Sequence, residues 1–342
     1  SVQSLVQLLS GHQLMIVPSQ IRADGEALAR FISSNAIDVY DCTPAQFELI
    51  ADHGMLDDEA HRRHALHTVL IGGEAITARA WNAAAASSVR CYNVYGPTEC
   101  TVDASIARIE QGIAPHIGRS IDRTRLYVLD GRGHPAPIGI AGEIHVAGVG
   151  LARGYLNQSE LTAERFVRDP FQSHRHDADA RDMPRMYRTG DLGRWRDDGC
   201  LEYLGRNDQQ VKIRGFRIEL GEIEARLRAC EGVREAVVLM HENQHGDDGA
   251  TGVKRLVAYL AAEDDGMLIP RLKAELSHSL PNYMMPAAFI VMAQLPLTSN
   301  GKIDRKRLRE PDLHNADSGI KQAYLAPSND VEMRLAVIWQ QL

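Results

Sequence analysis

No apolar run in the chain approaches the ~18 residues that a membrane-crossing helix needs, and no basic stretch followed by an apolar core opens it. Neither a spanning segment nor a secretory leader is indicated, so no membrane partner is expected. The five cysteines (Cys42, Cys91, Cys100, Cys200 and Cys230) are widely spaced and contain no CxxC pair. That spacing excludes a disulfide framework and a structural zinc site, and makes a reducing, cytoplasmic compartment the expectation. Excess positive charge is also lacking: 38 Lys and Arg face 45 Asp and Glu, for a net charge of −7. Nothing electrostatic therefore calls for nucleic acid or an anionic surface as partner. Internal repeats and low-complexity tracts are absent as well. What is present is 342 residues, 44% hydrophobic and 24% charged, enough for two globular domains.

Helical and strand patterns alternate over residues 1–110. The opening segment SVQSLVQLLSGHQLMIVP is apolar and reads as the interior of a domain, as though the chain were a fragment. Residues 24–35 carry Leu28, Phe31 and Ile32 at helical spacing. IDVYDC reads as a strand stopped by Pro44, AQFELIAD as a helix, TVLIGG as a strand, ARAWNAAAASS as a helix and VRCYNVYG as a strand. Short links between alternating elements predict a parallel, helix-covered sheet with ligands beyond the carboxyl ends of its strands, near Gly72-Gly73 and Tyr95-Gly96. From Ile117 to Tyr203 short strands and Gly/Pro turns follow (RLYVLD, GEIHVAG, LARGYL, MYRTGDLGRW, CLEYLG), which suits an antiparallel, barrel-like subdomain. A polar surface loop is expected at 172–185. The fold class is thus α/β plus α+β: a large domain over 1–207 and a small α+β unit over 208–310. A linker at 311–325 and an amphipathic helix within 326–342 complete the division.

The chemistry gathers in four segments. NVYGPTEC (93–100) runs a strand into a Gly-Pro turn that leaves Asn93, Tyr95, Thr98 and Glu99 at a sheet edge. A ring there can cover an adenine, an amide can read its edge, a hydroxyl can touch phosphate and a carboxylate can hold Mg²⁺. An ordinary strand–turn with solvated polar groups has the same pattern. YRTGDL (187–192) sets Asp191 after a glycine turn, able either to accept two ribose hydroxyls or to stabilise its own turn. GRNDQQVKIRGFRIE (205–219) adds Arg206, Asp208, Lys212 and Gly215 on a hairpin whose basic residues could equally be solvated. NGKIDR (300–305) holds Lys302 on an exposed glycine turn, with Asp304 and Arg305 beginning a short helix.

In this order, together with GEIHVAGVGLARGYL (142–156) and LPNYMMP (280–286), these segments resemble the adenylate-forming superfamily. Within it they are similar to the adenylation domains of nonribosomal peptide synthetases, over essentially the whole chain. The resemblance implies an enzyme that joins an amino acid to ATP with Mg²⁺, releases pyrophosphate and passes the aminoacyl group to the phosphopantetheine thiol of a carrier domain. It implies that Tyr95 stacks on adenine, that Asn93, Gly73, Glu74 and Gly96 surround it, and that Thr98 contacts phosphate. It further implies that Glu99 binds Mg²⁺ and that Asp191 holds the ribose, with Tyr203 and Arg206 nearby. Lys302 is the implied catalytic cation, Asp208 the hinge and Gly215 part of the pantetheine tunnel. The family's phosphate loop is expected before Ser1, and without it the fragment alone is expected to bind ATP poorly. YLAPSNDVEMRLAVIWQQL resembles the entry to a carrier domain. Neighbouring synthetase domains and a small activating protein are the other implied partners.

By spacing from these motifs the family's side-chain pocket falls on Gln3, Asp41, Leu70, Gly72, Val94, Val102 and Asp103, closed by Lys302. One amide and two carboxylates suit a primary amide, which offers two N–H donors and a C=O. L-Glutamine is the expected substrate and L-glutamate, which would meet like charge, is second. An acyl- or aryl-CoA ligase of the same superfamily and a non-catalytic synthetase module are the alternatives. His61, His64 and His67 align on one face of a helix but lack Cys or carboxylate partners, and read as a solvated face. Cys91 and Cys100 flank the nucleotide motif without a basic partner and read as packing residues.

Overall fold

A computed structural model describes residues 2–57, 65–172, 184–208, 210–213, 215–242, 254–263, 266–298 and 303–308. It divides into a compact unit ending at Ile218 and a second beginning at Glu219. Helix α1 (Val2–Leu9) opens the first unit. In the opening segment Leu9 is 87% and Ile16 74% exposed.

Helices α2 (Gly25–Ser34), α3 (Pro44–Asp52) and α4 (Ala78–Ala86) alternate with strands β1 (Val39–Cys42), β2 (Thr68–Ile71) and β3 (Arg90–Tyr95). The helix starts are written locally. Asp24 accepts from the Ala27 N–H, Thr77 accepts from the Ala80 N–H, and Thr43 and Gln46 close a capping box around Pro44. β1, β2 and β3 are parallel, as expected. β4 (Ser105–Arg108) and β5 (Arg119–Ser120) then extend the same sheet antiparallel. The three helices bury Leu28, Ile32, Phe47, Ile50 and Trp81 against Val69 and Ile71 of the sheet. Burial of that many large apolar side chains, each worth roughly 1.5–3 kcal/mol, anchors the strand ends where ligands are expected.

The second sheet is antiparallel, in the order β10 (Leu201–Arg206), β9 (Arg185–Trp195), β7 (Gly142–Gly148), β6 (Thr124–Leu129), with β8 (Phe166–Arg168) also on β9. Its core centres on Ile144, Tyr187 and Leu201. LARGYL, expected as a strand, is a loop, because its amides bond elsewhere. Leu151 donates to the Gly148 carbonyl, Ala152 to the Glu99 carbonyl (2.8 Å), and Tyr155 to the Thr162 hydroxyl (2.9 Å). That last bond leads into an unforeseen short helix, α5 (Ser159–Arg165). The expected hairpin forms from β11 (Gln210–Ile213) and β12 (Phe216–Glu219), turning at Gly215 with φ +78°.

In the second unit β13 (Val233–Glu242) pairs antiparallel with β14 (Lys254–Ala262), which pairs parallel with β15 (Ala288–Met292). Helices α6 (Leu220–Ala229) and α7 (Leu268–Ser279) bury Ile223, Leu227, Leu272 and Leu276. Asp304 caps a short turn at Arg305–Arg307, and Arg305 meets the buried Glu224 at 3.4 Å. Lys302, the carrier-like helix, His61, His64 and most of the polar loop lie outside the described residues. No helix among those described is long and apolar enough to cross a membrane.

Candidate functional site

The carboxyl ends of β2 and β3 open into a cleft of about 630 Å³, its solvent-filled mouth included, lined by Gly73, Glu74, Asn93, Tyr95, Tyr203 and Lys212, among others. Gly73 has φ +83°, which a side chain resists, so the backbone itself forms this wall. Asn93 is buried and its amide N–H donates to the His116 carbonyl at 2.8 Å, which fixes its orientation in the cleft. Tyr95 and Tyr203 face each other with ring centroids 6.1 Å apart.

Asp191, on β9, is buried and held from two sides. The Tyr95 hydroxyl donates to Oδ2 at 2.7 Å and Arg206 Nη1 donates to Oδ1 at 2.6 Å. Arg206 also reaches the Thr189 carbonyl and grips both oxygens of Asp208 at 2.7 Å. A carboxylate offers about four lone-pair sites, so Asp191 keeps two for a vicinal diol after these bonds. Burial pulls the Lys212 ammonium below its ordinary value, against the opposing pull of Asp191.

Glu99 is handled differently. It is buried, in the single turn Thr98–Cys100, while Thr98 is exposed. Oε1 accepts from the Tyr155 hydroxyl (2.6 Å), the Tyr187 hydroxyl (2.7 Å) and Arg217 Nη1 (2.8 Å), and Oε2 accepts from the same Nη1 at 2.9 Å. Burial alone would raise this carboxyl, but the Tyr155 hydroxyl, the Arg217 guanidinium and Tyr187 together leave it below its ordinary value. Among the described residues no cluster of three metal-ligating side chains exists. In this arrangement Glu99 does not fit Mg²⁺: Oε1 already carries three donors, Oε2 shares the Arg217 nitrogen, and the charge is balanced by Arg217.

The expected side-chain pocket is brought together in part. Asp41, Leu70 and Asp103 share one groove. Gly72 packs under Val94, where a Cβ would come within 2.5 Å of Val94 Cγ2. Val102, with φ +77°, passes over Gly96. The Gln3 side chain is not described. Asp41 has part of its side chain in solvent, yet its carboxyl is pushed up to about 6, first by burial and then by the like charge of Asp103. The proton is thus held more tightly in the folded chain. This favours folding fully below the ordinary aspartate value near ~4 and is lost as pH rises through about 6. Urea unfolding between pH 4 and 7 should accordingly show stability falling with pH, with a smaller fall in Asp103→Asn; an unchanged fall would mean the two carboxylates do not interact.

Tyr155, Tyr187, Thr189, His116 and Arg217 were not assigned from the sequence, although Tyr187 opens YRTGDL and Arg217 closes GFR. Tyr155, Tyr187, Thr189 and Arg217 lie within the quoted motifs, whereas His116 lies in none of them. Cys91 and Cys100 are buried, and burial pushes both thiols up to about 12, as packing residues require. His67 is exposed beside Thr68 and Arg90 and not on a helix.

Residues 1–156 match the family described as AMP-binding enzyme, and residues 222–302 match the AMP-binding enzyme C-terminal domain. Bacitracin synthase 1 of Bacillus licheniformis is 38% identical over 99% of this chain and 6% of its own length. The dimodular nonribosomal peptide synthase of Bacillus subtilis is 41% identical over 93% of this chain and 13% of its own. The chain thus spans a small part of the curated relatives it matches. Among solved structures, holo-PA1221, an NRPS protein containing adenylation and PCP domains, superposes with TM-score 0.68 at 29% identity, over 85% of this chain and 48% of that one. With the Tyr95–Asp191–Arg206 cluster, these likenesses establish that the chain belongs to the AMP-binding, adenylate-forming enzymes, as an adenylation domain of the nonribosomal peptide synthetase kind.

Proposed function

We propose that this domain activates an amino acid with ATP and hands it to a carrier-bound phosphopantetheine thiol during nonribosomal peptide synthesis. The observation that carries this reading is Asp191, buried next to the cleft-lining Tyr95 and gripped by Arg206, with acceptor sites left for a ribose. A substrate carboxylate oxygen attacks the α-phosphorus, the bond to pyrophosphate breaks, and an acyl-phosphate anhydride forms. The thiolate then attacks the acyl carbon and AMP leaves. Both steps bring anions together, so positioned cations lower the barrier. Lys302 is the proposed catalytic cation, on the strength of NGKIDR. Asp208 and Gly215 retain their proposed roles at the hinge and thiol tunnel, and 326–342 its role as the start of a carrier domain.

The substrate we favour is L-glutamine, with L-glutamate second. Asp41 and Asp103 line one groove, and their mutual repulsion argues against admitting a third carboxylate. A side-chain amide brings N–H donors to both. Amino-acid-dependent ATP–pyrophosphate exchange tests this, using the domain with its phosphate loop present. Exchange should be strongest with glutamine. Strongest exchange with another amino acid would keep the activation and sink the substrate, and none from a folded protein would sink both.

A further inference from the structure

Glu99 and Arg217 stand 118 residues apart in sequence, yet one guanidinium nitrogen bonds both carboxylate oxygens at 2.8 and 2.9 Å. With the two tyrosine hydroxyls, three bonds converge on Oε1, while Oε2 accepts from Arg217 alone, so the guanidinium nitrogen bridges the whole carboxylate. The Glu99 side chain is only 9% exposed, so the pair is poorly screened by solvent, while Arg217 keeps 33% of its side chain in water. A partly solvated arginine can leave; a buried glutamate cannot follow it.

Arg217 sits on β12, and the hairpin it belongs to is tied to the cleft at two further points. The Gly215 N–H donates to a carboxylate oxygen of Glu74, and Lys212 lines the cleft wall. Space at the turn is tight: a Cβ at Gly215 would lie 3.0 Å from the Thr43 methyl. The hairpin is therefore a clasp over the cleft with its charged end on Glu99.

We propose that Arg217 is a built-in counter-ion for Glu99, so that the seated hairpin and a divalent cation are mutually exclusive occupants of that carboxylate. A hard cation needs a carboxylate oxygen at about 2.0–2.6 Å, and here Oε1 already carries three donors while the Arg217 guanidinium lies 2.9 Å from Oε2, so a cation would meet its like charge at close range. Cation binding at Glu99 must then unseat Arg217 and loosen β12, and reseating β12 must expel the cation. The site would alternate between a metal-loaded form and a form in which a protein cation supplies the missing charge. This rests on assigning Glu99 to the metal.

Terbium(III) is a suitable probe, because it is an oxygen-seeking cation whose emission is sensitised by nearby phenols, and Tyr155 and Tyr187 both touch Glu99. In the whole chain, Arg217→Gln should bind Tb³⁺ about tenfold more tightly than the parent, the effect of removing a competing ion pair of ordinary strength. Adding Glu99→Gln to that variant should abolish the tyrosine-sensitised emission. Equal affinities in parent and Arg217→Gln, with parent binding still dependent on Glu99, would overturn the competition alone. Emission that survives Glu99→Gln would overturn the Glu99 assignment and the proposal with it. The unaltered protein gives an independent reading should the variants fold poorly. Amide hydrogen exchange of 215–218 should rise on saturation with Tb³⁺, and no rise would refute the exclusion.

Discussion

Arg206→Ala should lower stability by about 3–5 kcal/mol, the usual consequence of stripping one partner from a buried ion pair. The reasoning starts from burial. The Arg206 side chain is 10% exposed and that of Asp191 4%. The guanidinium makes four bonds, to Asp191, to the Thr189 carbonyl and to both oxygens of Asp208. Truncation leaves a buried carboxylate with the Tyr95 hydroxyl and too few cationic partners. For a unit of this size the loss should appear as a fall in Tm of roughly 10 °C. The double variant Asp191→Asn/Arg206→Ala supplies the check, because removing the stranded charge should restore much of what the single variant lost. A double variant as unstable as the sum of the two singles would mean that Asp191 and Arg206 act independently. Nucleotide affinity should fall in both, since the proposed ribose acceptor is displaced in one and neutralised in the other.

Much of the scaffold around that cluster was legible because it is written in short range. Asp24, Thr43-Pro44-Gln46 and Thr77 start their helices with side chains three residues from the amides they cap. The parallel β1–β3 order follows from short links between strand and helix patterns. The rest depended on partners remote in the chain. Tyr95 and Asp191 are 96 residues apart, and nothing in either motif says that the hydroxyl meets the carboxylate. β4 and β5 have four and two residues, too few for an alternation to register, and so the antiparallel extension of the first sheet went unread. LARGYL has strand-like composition, but its amides find loop partners, which only the fold decides. Glu99 carries a related lesson. A motif assigns the carboxylate to a metal, whereas its actual partner depends on where the hairpin bearing Arg217 has settled.

Gly96→Ala should be among the most damaging single changes in the domain, lowering stability by about 2–4 kcal/mol and abolishing exchange activity. A Cβ at Gly96 would sit 2.2 Å from the Val102 carbonyl oxygen and 2.7 Å from the Ala104 nitrogen, both backbone atoms that cannot rotate away. The segment passing there is already constrained. Thr101 and Val102 hold φ of +64° and +77°, left-handed values that cost β-branched residues of order 1–3 kcal/mol each. They are kept there by the Thr101 hydroxyl on the Gly150 carbonyl (2.6 Å) and the Ala104 N–H on the Tyr95 carbonyl (2.8 Å). An added methyl must stretch the second of these bonds. It must also carry with it Val102 and Asp103, two of the residues proposed to face the substrate side chain. Stability and selectivity are therefore expected to fail together at this position. Gly131→Ala is the matched control, because a Cβ there meets nothing within 4 Å, and it should leave both properties unchanged. Should Gly96→Ala unfold in urea with the parent's midpoint while exchange is lost, the close approach of 96 to 102–104 would be a local matter of the site. A parent-like midpoint with parent-like exchange would mean that the two segments are not packed against each other at all.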